Sequence, residues 1–232
     1  MRAQGLSSVP GEPVPDGASA VALPDLVRAW AAGWVVSRGA SEPVEVPWGL
    51  TFDVGLEGHP TRHVLPDADE AAFRRALGAI TGPATQVKLC LEPEAVAPWL
   101  APGWSFGDPG HLMTAALRPA PTPAPAGYRL RVWSRGGITR VMVVAADGAF
   151  AARGQIAPVG TGAVVDQVET AQAHRRKGLG GLVMRTLQNA AAAQGATTGL
   201  LGATDEGRAL YASLGWQVVA PLVTVIKDRP AV

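Results

Sequence analysis

The apolar positions of this chain switch between two periods. Residues 25–39 place apolar side chains at 26, 30, 34 and 35, a helical spacing that starts just after Pro24 and stops at Gly39. Residues 44–54 and 61–65 alternate as strands do, and Asp67 followed by Glu70 and the run AAFRRALGAI has the capping-box pattern of a helix start. Residues 86–91 read as a strand, 94–100 as a short helix and 111–117 as another strand. The first half is therefore expected to be a mixed α/β unit. In the second half, segments 128–133, 139–145, 150–157 and 162–170 are strand-like and are joined by short glycine turns, which predicts antiparallel hairpins. Beyond Thr170 the period changes. Leu179, Leu182, Val183, Leu187, Ala190 and Ala191 share one helical face and Gly195 closes it. A strand at 197–201, a helix at 204–214 and a last strand at 216–227 complete the order ββββ-α-β-α-β.

Between the halves, prolines at 119, 121, 123 and 125 deny the backbone regular hydrogen bonding, so 118–127 is expected to be a stiff linker. This divides the chain into a disordered tail (1–20), an N-terminal α/β domain (21–117), the linker, and a second domain (128–232). Glycine and proline occupy 48 of 232 positions, 28 and 20 respectively, which is below the roughly 25% at which unstructured chains become the rule. A net charge of +1 excludes broad electrostatic capture of nucleic acid or of an anionic membrane. The longest apolar stretches, 29–36 and 218–226, fall far short of the ~20 residues that span a bilayer, and residues 1–19 lack the apolar run of a secretory signal. A cytoplasmic protein, monomeric or homodimeric, is the expectation. Cys90 has no intramolecular partner and lies in an alternating strand, so it reads as a buried thiol.

Chemistry concentrates in Ala173-His-Arg-Arg-Lys-Gly-Leu-Gly-Gly181, between the fourth strand of the second half and its long helix. A phosphate diester needs converging backbone amides, glycine where the main chain must come close, and the positive end of a helix, and this turn can supply all three. Alone, the segment is equally a basic surface turn. One strand and one helix later stands Leu210-Tyr211-x-x-x-Gly215-Trp216, in a chain with only 2 tyrosines. The two motifs in this order resemble the GCN5-related N-acetyltransferases, the GNAT superfamily, over about residues 128–227. The resemblance implies an α/β (α+β) GNAT fold, a mixed and mostly antiparallel sheet flanked by helices.

It further implies acetyl-CoA as co-substrate, no metal, and transfer of an acetyl group to a primary amine of a small molecule or a protein. By the same resemblance Val168, Glu169 and Thr170 lie beside the pantetheine arm. Arg175, Arg176, Lys177, Gly178, Leu179, Gly180 and Gly181 hold the pyrophosphate, Thr204 and Arg208 lie near the cofactor, and Tyr211 protonates the departing thiolate. A phenol suits that step because it ionises above a thiol and so keeps its proton at neutral pH. Candidates for the base that frees the amine are Asp166 and Glu169, on opposite faces of a regular strand, with any bulge reversing the assignment beyond it. His111 and His174 read as structural histidines, and Trp48, Trp99 and Trp104 as core residues or cleft lining.

Three positions depart from the family pattern. Gln172 replaces a frequent proline, Thr204 a frequent asparagine, and the short Ser134–Ile138 connection leaves no room for the helices that usually wall the acceptor site. The first half is the expected substitute wall. It also looks like a degenerate repeat of the same fold, with acids in Leu65-Pro-Asp-Ala-Asp where a phosphate loop would stand, so one acetyl-CoA is expected, in the second half. The rival expectation is a non-catalytic acyl-CoA sensor or interaction module. A dinucleotide-binding oxidoreductase is disfavoured because Gly-x-Gly-x-x-Gly after a first strand is absent.

Overall fold

The computed structural model describes residues 21–229; the expected tail lies outside the described residues. Helix α1 (Leu23–Arg38) has proline in its first turn and ends on Gly39, whose φ of +63° lets its amide bond back to Val35 and Val36. Strands β1 (Val44–Val46), β2 (Gly49–Leu56) and β3 (His59–Leu65) form an antiparallel meander, and α2 (Glu70–Ala79) follows. The cap of α2 is Asp69, whose carboxylate accepts from the Ala72 amide at 2.7 Å. The Asp67 start is thus displaced by two residues. Next come β4 (Gln86–Leu89), α3 (Pro93–Val96), which continues as one 3₁₀ turn, β5 (Trp104–Phe106) and β6 (Gly110–Ala116). After the prolines stand β7 (Tyr128–Arg135), β8 (Ile138–Ala145), β9 (Phe150–Val159), β10 (Gly162–Thr170), α4 (Leu179–Ala193), β11 (Thr198–Thr204), α5 (Asp205–Ser213), β12 (Gln217–Pro221) and β13 (Val223–Lys227).

These strands make two sheets, ordered β1-β2-β3-β4-β13-β5 and β12-β6-β11-β10-β9-β8-β7. Each contains one parallel pair, β3 with β4 and β10 with β11, joined through a helix. In each, the strand after that pair comes from the other half of the chain. β6 sits between β11 and β12, and β13 between β4 and β5. The sheets therefore do not divide where the prolines do, and the boundary between 21–117 and 128–232 is corrected. Residues 110–116 belong to the second sheet and 223–227 to the first. The expected strand over 216–227 breaks after Pro221, which has no amide for the ladder, and the chain crosses to the other sheet at Leu222. Both exchanged strands are buried, with Leu112 and Met113 at 0% exposure on one and Val225 at 0% on the other, so each packs into apolar clusters that the other half of the chain helps to build.

Residues 117–125 form neither helix nor strand and are pinned to α4, where the Asn189 side-chain amide exchanges hydrogen bonds of 2.9 and 2.7 Å with the Ala120 backbone. Helix α4 covers one face of the second sheet, against β8, β9 and β10, and α1 covers the other, against β9, β10 and β11. A Cβ on Gly33 would stand 2.3 Å from a Val164 methyl, so glycine is what lets α1 lie this close to β10. Helix α1, which precedes both sheets, thus lies on the face of the second sheet opposite α4. Among the described residues no helix is long and apolar enough to cross a membrane.

Candidate functional site

β10 pairs with β11 only from Gly162 to Val164. Beyond that point β10 stays with β9 while β11 follows β6, so the two strands splay and leave a gap in the sheet. A bulge between Asp166 and Glu169 interrupts the β10–β9 ladder, and within it Gln167 takes φ +53°, a costly conformation for a side chain of this size that is typical of functional segments. The bulge flips the alternation. Val168 turns to the α4 core, while Glu169 shares the α1 face with Asp166. Regular alternation, which paired Val168 and Thr170 with Asp166, is corrected accordingly. Main-chain groups of a bulged strand beside a gap are free to bond a ligand instead of a neighbouring strand.

At one end of the gap stands the glycine turn. Gly178 caps α4 with φ +76°, and no side chain fills that cap. The first turn of α4 leaves the amides of Leu179, Gly180 and Gly181 without helical acceptors, at the positive end of the helix dipole. A Cβ on Gly180 would come within 2.8 Å of Leu210, so α5 packs directly on this turn. Arg176 lies exposed with φ +62°. Arg175 is drawn to Glu206 on α5 at 2.8 Å, and Lys177 reaches back to the Ala173 carbonyl at 3.2 Å. The turn thus offers backbone amides first and cations second.

Thr204 caps α5 by accepting from the Gly207 amide at 3.1 Å, and Arg208 is exposed on that helix. Tyr211, on α5, is buried at 8% exposure against Trp216. Burial, and then the negative charge of Asp166, push its phenol up to about 12. It is a protonated donor at any physiological pH.

The carboxylates fare differently. Arg38 grips Asp166 in a fork, with Nε on one oxygen and Nη2 on the other at 2.9 Å, and the Ser37 hydroxyl donates to it at 3.0 Å. Ser37 is itself held by the Gln155 side chain. Glu169 faces Arg153 at 2.9 Å in a half-exposed pair. Neither acid is a free base. His111 bonds Asp205 at 2.6 Å, and His174 bonds the Tyr128 hydroxyl at 3.0 Å, both tying elements together. Cys90 is buried, which raises its thiol to about 12.

Across the gap from α4, between the sheets, lies a cavity of about 280 Å³. Its walls come from Trp30, Trp34 and Arg38 on α1, Arg62 on β3, Lys88 on β4, Val165 and Asp166 on β10, and Gly202 to Thr204 on β11. The tryptophans that line it are thus 30 and 34. Trp48 instead donates to His63, Trp99 packs on Phe73, and Trp104 lies under Lys227. Arg62 and Lys88 escaped the sequence reading; Lys88 stands between Val87 and Leu89, a signal of a buried cation with a purpose, whereas Arg62 lies between Thr61 and His63 and gives none.

Burial and the neighbouring cations hold His59 at about 4, and burial holds His63 at about 4, against an ordinary 6.5. Both rings are therefore neutral at pH 7, and the His63 Nδ1 accepts from Trp48. Because the folded state resists protonation, this stability is complete above pH 6.5 and is lost as the pH falls toward 4. For His63 alone the loss between pH 7 and 5 is about 2 kcal/mol. Urea midpoints at the two pH values are expected to differ by that order, and by clearly less in His63→Gln.

A model of the acetyltransferase (GNAT) family matches residues 111–216, opening in β6 and ending at Trp216. A GCN5-related N-acetyltransferase from Kribbella flavida is similar in structure, with TM-score 0.64 at 18% identity over 92% of this chain and 98% of that one. A GCN5-related N-acetyltransferase-like protein from Streptococcus suis gives 0.52 at 12% identity over 88% and 99%. One from Sphaerobacter thermophilus gives 0.50 at 14% over 70% and 66%. At these identities the likeness is one of fold. No curated protein matches the sequence.

Proposed function

Since residues 111–216 match a model of the acetyltransferase (GNAT) family, we propose that the protein moves the acetyl group of acetyl-CoA to a primary amine by direct attack on the thioester. The observation that carries this reading is a conjunction. A glycine turn with free amides follows β10, a gap opens between β10 and β11, and a cavity is lined by residues of both strands at that gap. A diphosphate fits the turn, because the α4 amides lack acceptors and no side chain occupies the cap. An extended arm fits the gap, where the bulged β10 backbone has no partner on its β11 side.

Acetyl-CoA supplies an activated carbonyl carbon and a good leaving group. This chain supplies position and protons. The amides of Leu179 to Gly181, with Arg176 and Lys177 nearby, anchor the phosphates, and main-chain amides near Val168 to Thr170 polarise the carbonyl. The neutral amine nitrogen forms its bond to carbon as the carbon–sulfur bond breaks, Tyr211 gives its proton to the sulfur, and the proton shed by the nitrogen passes through solvent to restore the phenol. With Asp166 held by Arg38, the amine needs another route to its neutral form. Arg62 and Lys88 provide one, since like-charge repulsion disfavours an ammonium in their cavity. A space of about 280 Å³ suits a small molecule.

Thiol release from acetyl-CoA in the presence of an amine panel tests this. Release above the hydrolytic background with at least one amine is expected. Binding of acetyl-CoA without release for every amine would make the chain an acyl-CoA sensor instead.

A further inference from the structure

Two cations in the cavity lack the partners that buried charges require. Arg62 is 6% exposed and spends one nitrogen, Nη2, on the Gln86 side chain at 3.1 Å. Its Nε and Nη1 are buried without a hydrogen-bond acceptor. Its guanidinium carbon stands 3.9 Å from the centre of the Trp34 ring, a cation–π contact that holds the group in place. Lys88 projects into the same cavity from the next strand, and its Nζ donates to Thr224. The acids nearby do not balance them. Asp166 is neutralised by Arg38, and Asp108 is the one other carboxylate in the wall.

An unpaired buried guanidinium is destabilising unless a ligand completes it. A guanidinium and an ammonium facing one cavity match the two oxygens of a carboxylate. We infer that the acceptor amine carries a carboxylate, which seats between the Arg62 guanidinium and the Lys88 ammonium. This rests on the acetyl-transfer reading and names its substrate class: small amino acids in the broad sense, with amine and acid on one compact frame.

The same charges set the orientation. Arg62 and Lys88 belong to the first sheet, whereas the gap and Asp166 belong to the second. The cations draw the carboxylate and repel an ammonium, so the amine is left pointing at the gap, where the thioester is expected. Burial and Arg62 lower Lys88 to about 7, and burial and Arg38 lower Arg62 to about 9. Carboxylate binding should therefore weaken as the pH rises from 6 to 8, while Arg62 stays charged and Lys88 loses its proton.

Matched acceptors on the wild-type full-length protein provide the test. A set of amino acids is compared with their carboxamides and their decarboxylated amines, by thiol release from acetyl-CoA. The carboxylate member is expected to exceed its carboxamide at least tenfold in kcat/KM, and Arg62→Gln or Lys88→Met to shrink that preference, with Arg62→Lys retaining part of it. Equal rates for the matched pair, or a preference untouched in a folded Arg62→Gln protein, would overturn the inference. A second readout needs no turnover. Because Arg62 rests on Trp34, tryptophan fluorescence should respond saturably to the amino acid, less to its carboxamide, and not in Trp34→Phe. If no amine releases thiol, the transfer reading fails, and this titration still decides whether a carboxylate site exists.

Discussion

Tyr211→Phe is expected to lower kcat about 10² to 10³-fold while changing acetyl-CoA affinity less than twofold. The hydroxyl is the one atom removed, and its work falls in the step where charge builds on sulfur, so the loss should appear in kcat and not in binding. Packing against Trp216 is kept by the phenylalanine ring, so the thermal midpoint should move by no more than a degree or two. Burial and Asp166 push the phenol to about 12, which predicts a rate that does not fall between pH 8 and 10 through loss of this proton. Steady-state thiol release with calorimetric binding on the same preparation separates the two parameters. An equal fall in affinity and rate would mean that Tyr211 holds the cofactor instead of protonating it.

The second large effect is expected at Gly178. Its φ of +76° and open surroundings accept asparagine or aspartate, the side chains that tolerate this conformation best and that cap helices well. Gly178→Asn and Gly178→Asp have nearly the same shape and should share a similar, small loss of stability. They differ by one negative charge at the mouth of the phosphate turn. A carboxylate about 5 Å from a diphosphate in a partly hydrated site costs about 2 kcal/mol. Gly178→Asp should thus bind coenzyme A roughly 30-fold more weakly than Gly178→Asn, and added salt should narrow the difference. Equal affinities would place the phosphates elsewhere.

Much of the fold was legible in the sequence. The change of period after Thr170 located α4, and the Gly39 stop located the end of α1, because both depend on neighbours within a few residues. The strand exchange was not legible. Alternation shows that residues 110–116 and 223–227 are strands, but it does not say which sheet each one completes, and every hydrogen bond that decides this is long-range. The glycine turn before α4 was readable for the same local reason as the helices, since its glycines and the helix start are contiguous. The other side of the cavity was hidden because Arg38, Arg62 and Lys88 come from three separate elements of the first half. Asp166 looked like a base in isolation, and only the approach of α1 shows that Arg38 holds it.

The central claim is that main-chain amides at the start of α4 cradle the two linked phosphates of coenzyme A. Calorimetric titration of the purified full-length protein with coenzyme A, beside dephosphorylated pantetheine, tests it most directly. Saturable one-to-one binding of coenzyme A, with pantetheine at least tenfold weaker, is the predicted result. No detectable binding of coenzyme A, or equal affinity for the two, would contradict it.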